Sequence, residues 1–200
     1  MTAPSNPATL IHPPHSILER LVWTGLFPVA QPVEVELGSG DGSFLVEHAR
    51  RHPDRNFVGV ERLLGRLRKL DRKGLRAGLR NLRLIRLEAA YLVDYLLPPA
   101  SVQALHLYFP DPWPKRKHRR HRLVSEPFVN AAGRALVPGG AVYLRTDDAD
   151  YFAQMQAVFS HNPVFMETET PAALRAIETD FEREFHAQGK ATRYAAYQRR

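Results

Sequence analysis

Short apolar runs alternate with segments of helical periodicity from residue 33 onward, and this alternation constrains the fold more than any other feature of the chain. Repeated units of a strand followed by a helix are typical of a parallel sheet with helices on both faces. The sequence therefore predicts an α/β fold built on a doubly wound, mostly parallel sheet. Strands are predicted at residues 33–37, 56–61, 81–87, 102–108 and 141–145, and helices at 43–51, 63–76 and 125–135.

The N-terminal segment does not share this pattern. Residues 1–14 contain four prolines, no Lys or Arg and no long apolar stretch, so they match neither a signal peptide nor a transit peptide. No run in the chain reaches the length of a membrane span. We therefore expect a flexible arm at residues 1–14, a single domain at residues 15–200, and no insertion into a membrane.

The composition favours an anionic partner. The chain has 28 Lys and Arg against 21 Asp and Glu, a formal net charge of +7, and a field of that sign attracts polyanions, with nucleic acid ahead of membrane surfaces. It has no cysteine, which excludes disulfides, thiolate metal sites and covalent catalysis by a thiol. This agrees with a cytoplasmic protein. No feature of the sequence sets an oligomeric state.

Acidic residues or glycines follow every predicted strand. In an open α/β sheet, ligands bind beyond the carboxyl ends of the strands, and core packing does not predict acidic residues at those ends. We therefore expect the strand ends to form a binding site. The residues at these ends are Glu36 to Gly42 at the end of the first strand, Glu61 at the end of the second, Glu88 after the third, Asp111 after the fourth and Asp147 after the fifth.

The first of these ends, residues 36–42, is a turn with glycines at alternate positions, Gly38, Gly40 and Gly42. Glycine adopts positive φ and lets the backbone approach a ligand closely. The dinucleotide fingerprint needs its third glycine at position 43, where this chain has Ser43. The turn therefore suits a nucleoside ligand without a pyrophosphate, such as S-adenosylmethionine. The alternative is a tight loop with no ligand.

Two carboxylates extend this hypothesis. Glu61 lies 21 residues after Gly40, where a carboxylate accepts hydrogen bonds from ribose hydroxyls in doubly wound nucleotide sites; alone, it would indicate only a solvated side chain. Glu88 has two interpretations that the sequence leaves open. It faces the edge of an adenine, or it opens the next helix, where negative charge is favoured by the helix dipole.

The segment Phe109-Pro110-Asp111-Pro112-Trp113 is the most specific motif in the chain. Two prolines restrict the backbone on either side of Asp111, and Trp113 offers a flat stacking face. Six of the eight residues at 115–122 are Lys or Arg. An aromatic ring beside a basic run is what a stacked base with flanking phosphates requires. A run of charges alone would indicate only a solvated face.

In these residues, the chain resembles the bacterial tRNA (guanine-N7)-methyltransferase family. The resemblance implies the Rossmann-like fold of class I S-adenosylmethionine-dependent methyltransferases, with S-adenosylmethionine as cofactor and tRNA as partner. It spans about residues 33–189. The matching segments are Glu36 to Gly40, Gly59 to Glu61, Asn81 to Arg83, Phe109 to Trp113 with Lys115 and His118, Thr146-Asp147, and Thr179 to Glu182.

The resemblance also implies roles for single residues. The implied reaction is transfer of the methyl group of S-adenosylmethionine to N7 of a guanine in the tRNA variable loop, with Asp111 as the catalytic residue. The implied cofactor-binding residues are Glu36, Gly38, Gly40, Glu61, Glu88 and Asp111. The implied tRNA-binding residues are Lys115, Asp147, Thr179 and Glu182.

Simple chemistry limits what these residues would do. Guanine N7 carries a lone pair and no proton, so its attack on a sulfonium methyl needs no general base. A carboxylate at Asp111 would instead orient the guanine and stabilise the positive charge that develops on its ring. Thr179 and Glu182 are three residues apart, which suits either base recognition or a helix capping box, and the sequence leaves both open.

The sequence also allows other sites and functions to be weighed against this hypothesis. His118 and His121 are three residues apart but lie within a run of arginines, whose charge opposes a cation, so we expect no metal. Methylation of another RNA base or of a small molecule is one alternative. Non-catalytic RNA binding on the same fold is another, and the intact glycine turn argues against it.

Overall fold

Seven strands form one sheet in the computed structural model, which describes residues 8–200. The strand order is β3-β2-β1-β4-β5-β7-β6. The first five strands pair in parallel, and β7 pairs antiparallel with both β5 and β6. This confirms the predicted doubly wound, mostly parallel α/β fold. The strands are β1 (Val33–Leu37), β2 (Asn56–Val60), β3 (Leu82–Ile85), β4 (Val102–Tyr108), β5 (Leu136–Thr146), β6 (Phe165–Thr168) and β7 (Arg193–Arg199).

Helices cover both faces of the sheet. One apolar cluster joins alternate residues of β1 to helices α5 (Glu126–Ala135) and α6 (Ala149–Ser160). A second joins α2 (Leu45–Arg51) and α3 (Leu64–Arg76) to the opposite face. No helix within residues 8–200 has the length and apolar character needed to cross a membrane. The helices are α1 (Trp23–Leu26), α2 (Leu45–Arg51), α3 (Leu64–Arg76), α4 (Ala89–Tyr91, continued by a π-helical turn at Leu92–Leu96), a 3₁₀ helix (Arg116–His121), α5 (Glu126–Ala135), α6 (Ala149–Ser160), α7 (Ala172–Arg175) and α8 (Asp180–Ala187).

Part of the predicted N-terminal arm packs against the sheet. Residues 1–7 lie outside the described residues, but Leu10 is buried and Ile11 forms a parallel bridge to Leu84 of β3. The Leu84 amide donates to the Leu10 carbonyl at 2.9 Å, and the His12 amide donates to the Leu84 carbonyl at 2.8 Å. Leu10 to His12 therefore pack against the sheet instead of belonging to a flexible arm, because one apolar side chain and the backbone groups of β3 hold this segment.

The fifth strand is longer than predicted. The sequence predicts a strand from residue 141, whereas β5 begins at Leu136, directly after α5. The register with β4 shifts between the pairs Val102↔Leu136 and Ala104↔Ala141. Such a bulge leaves residues unpaired. It accommodates Pro138, which lacks an amide donor, and Gly139, which has φ of 78°.

The C-terminal pair β6 and β7 was not predicted. The four residues of β6 alternate poorly, with only Phe165 buried, and β7 carries charged or polar residues at both ends. These strands are stabilised by long-range pairing, with β7 inserted between β5 and β6. Their position matters because they bring residues 170–195 back to the carboxyl ends of the central strands.

The packing of Leu10 makes a testable prediction. Leu10 is 1% exposed and lies so close to Gly74 of α3 that a Cβ there would sit 2.5 Å from its Cδ1. Leu10→Ala should therefore lower the free energy of unfolding by roughly 2–5 kcal/mol, the usual cost of such a cavity. Urea denaturation followed by circular dichroism measures this change. Leu18→Ala is the matched control, because Leu18 is 85% exposed, and equal effects of the two variants would contradict the packing role.

Candidate functional site

The glycine turn at residues 38–42 has the backbone that only glycine adopts easily. The φ angles of Gly38, Gly40 and Gly42 are 79°, 54° and 82°. A Cβ on Gly42 would lie 2.1 Å from Leu70 Cδ1, while nothing lies within 4 Å of a Cβ on Gly38 or Gly40. Gly42 is therefore required for packing against α3, and the first two glycines leave a strip of exposed backbone open to a ligand.

Glu61 ties this turn to the end of β2. Its Oε2 accepts from the Gly40 amide at 3.1 Å and its Oε1 accepts from the Leu63 amide at 2.7 Å. The side chain is buried, and each carboxylate oxygen keeps a second lone pair. The structure thus brings Glu61 and the glycine turn together, with acceptor capacity left for a ligand.

Glu36 lies at the centre of the site, and one of its carboxylate oxygens has no hydrogen-bond partner among the described residues. Glu36 is buried in β1, and this oxygen is its Oε2. Burial raises the pKa of Glu36 well above 4.5; Arg145 opposes this rise, and the carboxylates of Asp41 and Glu61 add to it. The Ser39 hydroxyl is a second buried group that lacks a partner in the same part of the chain. Buried polar groups are rarely left unpaired, so both indicate a ligand.

A buried ion pair connects β5 to helix α8 beside the site. Arg145 Nη1 donates to Glu182 Oε2 at 2.7 Å, and both side chains are completely buried. The same guanidinium donates to the carbonyls of Leu174 and Ile177 and lies 4.0 Å from the centre of the Tyr108 ring. Arg145 was not predicted as a site residue. In the sequence, Arg145 could have been recognised as a charged residue inside an apolar strand.

Thr179 and Glu182 form the capping box that the sequence left open. The Glu182 amide donates to Thr179 Oγ1 at 3.0 Å, and the Thr179 amide donates to Glu182 Oε2 at 2.9 Å. The next amide, that of Asp180, donates to the Ser43 hydroxyl at 3.0 Å. Helix α8 therefore begins directly against the glycine turn, with Glu182 shared between the cap and Arg145.

The loop that carries Asp111 has a strained backbone. Phe109 and Trp113 have φ of 50° and 45°, a left-handed conformation that costs energy in residues with a side chain and is frequent at functional sites. The Phe109 amide donates to the Arg145 carbonyl at 2.8 Å, and Arg122 Nε donates to the Pro112 carbonyl at 2.7 Å. These two hydrogen bonds hold the loop backbone on either side of Asp111, whose side chain is exposed at the end of β4.

The basic segment after this loop divides into two groups. Arg122 is buried, and it donates to Asp150 as well as to the loop carbonyl, so it positions the loop. Arg119 lies 3.0 Å from Asp150, whereas Lys115 and Arg120 are exposed. Most of the predicted cationic surface thus faces solvent beside the half-exposed ring of Trp113.

The two remaining predicted residues lie at the same edge of the sheet. Glu88 is exposed, and its carboxylate caps α4 by accepting from the Tyr91 amide at 2.9 Å. Asp147 is partly buried after β5, with Lys190 Nζ 3.8 Å from its Oδ2. The helix-opening role proposed for Glu88 is therefore present. Its contact with adenine stays a prediction.

Comparison with known proteins identifies relatives of this chain. The family described as "Putative methyltransferase" matches residues 30–195. A tRNA (guanine-N(7)-)-methyltransferase of Myxococcus xanthus is 34% identical over 84% of each chain. One of Thermotoga maritima is also 34% identical, over 86% of this chain and 55% of its own length. The chain thus spans little more than half of that relative.

Solved structures give the fold. The 16S rRNA methyltransferase KamB superposes with a TM-score of 0.63 at 16% identity, covering 88% of this chain and 91% of KamB. TrmN from Thermus thermophilus gives a TM-score of 0.62 at 21% identity, covering 86% of this chain and 45% of TrmN. These likenesses confirm the Rossmann-like class I methyltransferase fold that the sequence resemblance predicted.

The burial of Glu36 predicts an unusual pH dependence of stability. Its folded-state pKa lies above the ordinary 4.5, so the folded protein holds this proton more tightly than the unfolded chain. Stability from this group is complete below about pH 4.5 and is lost as pH rises through the folded pKa. Glu36→Gln, which mimics the neutral carboxyl, should therefore stabilise the protein at pH 8 relative to wild type. We expect a higher free energy of unfolding for the variant, because it carries no carboxyl group that ionises as pH rises.

Urea denaturation at pH 5 and pH 8 measures this difference. The control is Glu47→Gln, which should lower the free energy of unfolding at pH 8 where Glu36→Gln raises it. Hydrogen bonds from Arg50 and Arg51 lower the pKa of Glu47 to about 2. Its contribution is present above the unfolded pKa and is lost only as pH falls. A Glu36→Gln variant that is less stable than wild type at pH 8 would show that Glu36 is ionised and paired.

Proposed function

The chain belongs to the methyltransferase family that matches residues 30–195. On that premise, we propose that it transfers the methyl group of S-adenosylmethionine to N7 of a guanine in tRNA. The observation that carries the proposal is the strained Phe109–Trp113 loop beside the glycine turn. The strands that precede them, β4 and β1, are neighbours in the sheet. Because the substrate is tRNA, we also infer a cytoplasmic location.

The residues at the glycine turn fit S-adenosylmethionine. The open backbone at Gly38 and Gly40 and the unpartnered Glu36 Oε2 accommodate a polar ligand. Glu61 has lone pairs for ribose hydroxyls, and Glu88 would lie at the adenine edge. When bound, S-adenosylmethionine supplies an electrophilic methyl group on a sulfonium. These residues bind and orient it, and Asp111 completes the site from the neighbouring strand end.

Asp111 acts on the guanine as an orienting and stabilising carboxylate. A carboxylate oxygen accepts hydrogen bonds from the N1 and exocyclic amino protons of guanine, and it stabilises the positive charge that builds on the ring as N7 is alkylated. The backbone on either side of Asp111 is held by two hydrogen bonds, from the Phe109 amide to the Arg145 carbonyl and from Arg122 Nε to the Pro112 carbonyl. Alignment of two bound reactants lowers the barrier further.

The tRNA would bind across the carboxyl ends of β4 and β5. Trp113 offers a ring for stacking, Lys115 and its exposed neighbours offer charge for phosphates, and Asp147 lies at the end of β5. Thr179 and Glu182 are buried in the cap of α8, so they would act on the substrate by holding that helix against the turn. The guanine of the variable loop is the proposed target.

The deciding experiment is incubation of the protein with unmodified tRNA and S-adenosylmethionine labelled on its methyl group, followed by nucleoside analysis. Labelled 7-methylguanosine from the variable loop supports the proposal. Label in another nucleoside would reassign the target base. Tight tRNA binding without labelled product would indicate a non-catalytic RNA-binding protein.

Asp111→Asn tests the role of the carboxylate. If Asp111 acts mainly in the transition state, turnover should fall about a hundredfold or more, the usual cost of one preorganised group, while tRNA affinity changes little. Single-turnover kinetics and filter binding separate the two quantities. Asp54→Asn is the matched control, because Asp54 is a 74% exposed carboxylate far from the strand ends that form the site. Equal loss of affinity and turnover would make Asp111 a recognition residue.

Salt dependence tests the position of the tRNA. Each neutralised phosphate releases counterions, so replacing Lys115 and Arg120 by Gln should flatten the slope of log affinity against log salt by about one to two units. The comparison variant replaces Arg68 and Arg72, two exposed cations on α3. Its line should run parallel to that of wild type. A flattened slope for the α3 variant instead would move the tRNA footprint to that helix.

A further inference from the structure

A second polar cluster lies inside the protein, away from the glycine turn. It consists of Glu34 on β1, His48 on α2 and His106 on β4, all at most 3% exposed. Both imidazoles direct Nε2 at the same carboxylate oxygen, Glu34 Oε2, at 2.9 Å from His48 and 2.8 Å from His106. One ligand atom from each of the three side chains lies within 4.8 Å of the others. Three separate elements therefore converge on one point.

The ligand types of the cluster suit a cation, because its three side chains offer one carboxylate and two imidazoles. Neutral imidazole and carboxylate are the forms that bind metals.

Outer partners already orient two of the three side chains. Arg55 donates to the other oxygen of Glu34, Oε1, which leaves Oε2 to the histidines. His106 Nδ1 lies 2.8 Å from the Tyr108 hydroxyl. Metal-binding histidines typically use the second ring nitrogen in such a bond, and ligating carboxylates are themselves hydrogen-bonded. His48 Nδ1, in contrast, has no partner among residues 8–200.

A cavity gives the cluster access and room for a further ligand. Glu34, His48 and His106 line a cavity of about 340 Å³, which is also bordered by Gln103 and Gly139. The last two residues lie in the first halves of β4 and β5, so the cavity is at the opposite end of the sheet from the glycine turn. Water held there could fill an open coordination position.

We propose that Glu34, His48 and His106 form a binding site for a divalent transition metal, with Zn²⁺ the best match. Two imidazoles and one carboxylate with an open position are a recurrent Zn²⁺ ligand set. Bonds of about 2.0–2.2 Å in tetrahedral geometry place ligand atoms about 3.3–3.5 Å apart. The two Nε2–Oε2 contacts would lengthen by roughly 0.5 Å to reach this spacing, and each imidazole would carry its proton on Nδ1.

This proposal replaces the expectation that the chain has no metal. That expectation came from His118 and His121, which are close in sequence. The ligands proposed here come from residues 34, 48 and 106, and only the fold brings them together. The metal would join β1, α2 and β4, and it takes no part in the proposed methyl transfer.

Titration of the tag-free protein with Co²⁺ tests the site, because tetrahedral Co²⁺ has intense visible bands. We expect these bands to saturate at about one equivalent of Co²⁺ and to disappear on addition of Zn²⁺. Equilibrium dialysis with elemental analysis should then find about one Zn²⁺ per chain. Wild-type protein that shows no tetrahedral bands, or uptake without saturation, would overturn the proposal, and neither result depends on a variant that folds.

Two variants locate the metal. His48→Gln and His106→Gln keep a donor for Glu34 but lose the imidazole ligand, so each should weaken Co²⁺ binding at least about tenfold. The control replaces His118 and His121 together by Gln, which removes the other close histidine pair and should leave the titration unchanged. Loss of the bands in the control variant, with both cluster variants unaffected, would place the metal in the basic segment and overturn the assignment.

Discussion

The buried pair of Arg145 and Glu182 is the interaction on which the candidate site depends. Transfer of two charges out of water is costly, and an ion pair repays that cost only when hydrogen bonds satisfy the groups around it. Here the guanidinium makes three hydrogen bonds, to Glu182 and to the carbonyls of Leu174 and Ile177, and stacks on Tyr108. Glu182 in turn caps α8 and accepts from the Tyr194 hydroxyl at 2.8 Å. Loss of one partner would leave the other buried and unpaired, so this pair fixes the C-terminal segment over the strand ends.

The pair belongs to a wider division between the two faces of the sheet. Val33, Val35 and Leu37 face an ordinary apolar core. The alternate residues of the same strand, Glu34 and Glu36, face the side that also carries His106, Tyr108 and Arg145. Because side chains alternate along a strand, one strand serves packing and chemistry at once. The polar face explains why buried acids and bases concentrate on the side covered by α2 and α8.

The sequence predicted what depends on local pattern, and missed what depends on register between distant segments. The five parallel strands, the glycine turn and the Asp111 loop follow from periodicity and from glycine and proline chemistry. The pair β6 and β7 has too little periodicity to stand out, and it forms because β5 offers an edge for antiparallel pairing. Arg145 and the cluster at Glu34 could be suspected only as charged residues within apolar strands. Their partners come from α7, α8 and α2, and no local pattern shows which strand residues these helices contact.

The two polar sites are joined by one short helix. Phe44, at the start of α2, stacks on His48 with ring centres 5.0 Å apart and meets the Tyr108 ring edge-on at 4.7 Å. His48 belongs to the cluster with Glu34, while Tyr108 lies under Arg145. A cation bound only by the folded chain would stabilise it by mass action, and the stabilised contacts would include those of α2. Because α2 directly follows the glycine turn, such a cation would hold the turn in place without touching any group that binds a ligand there.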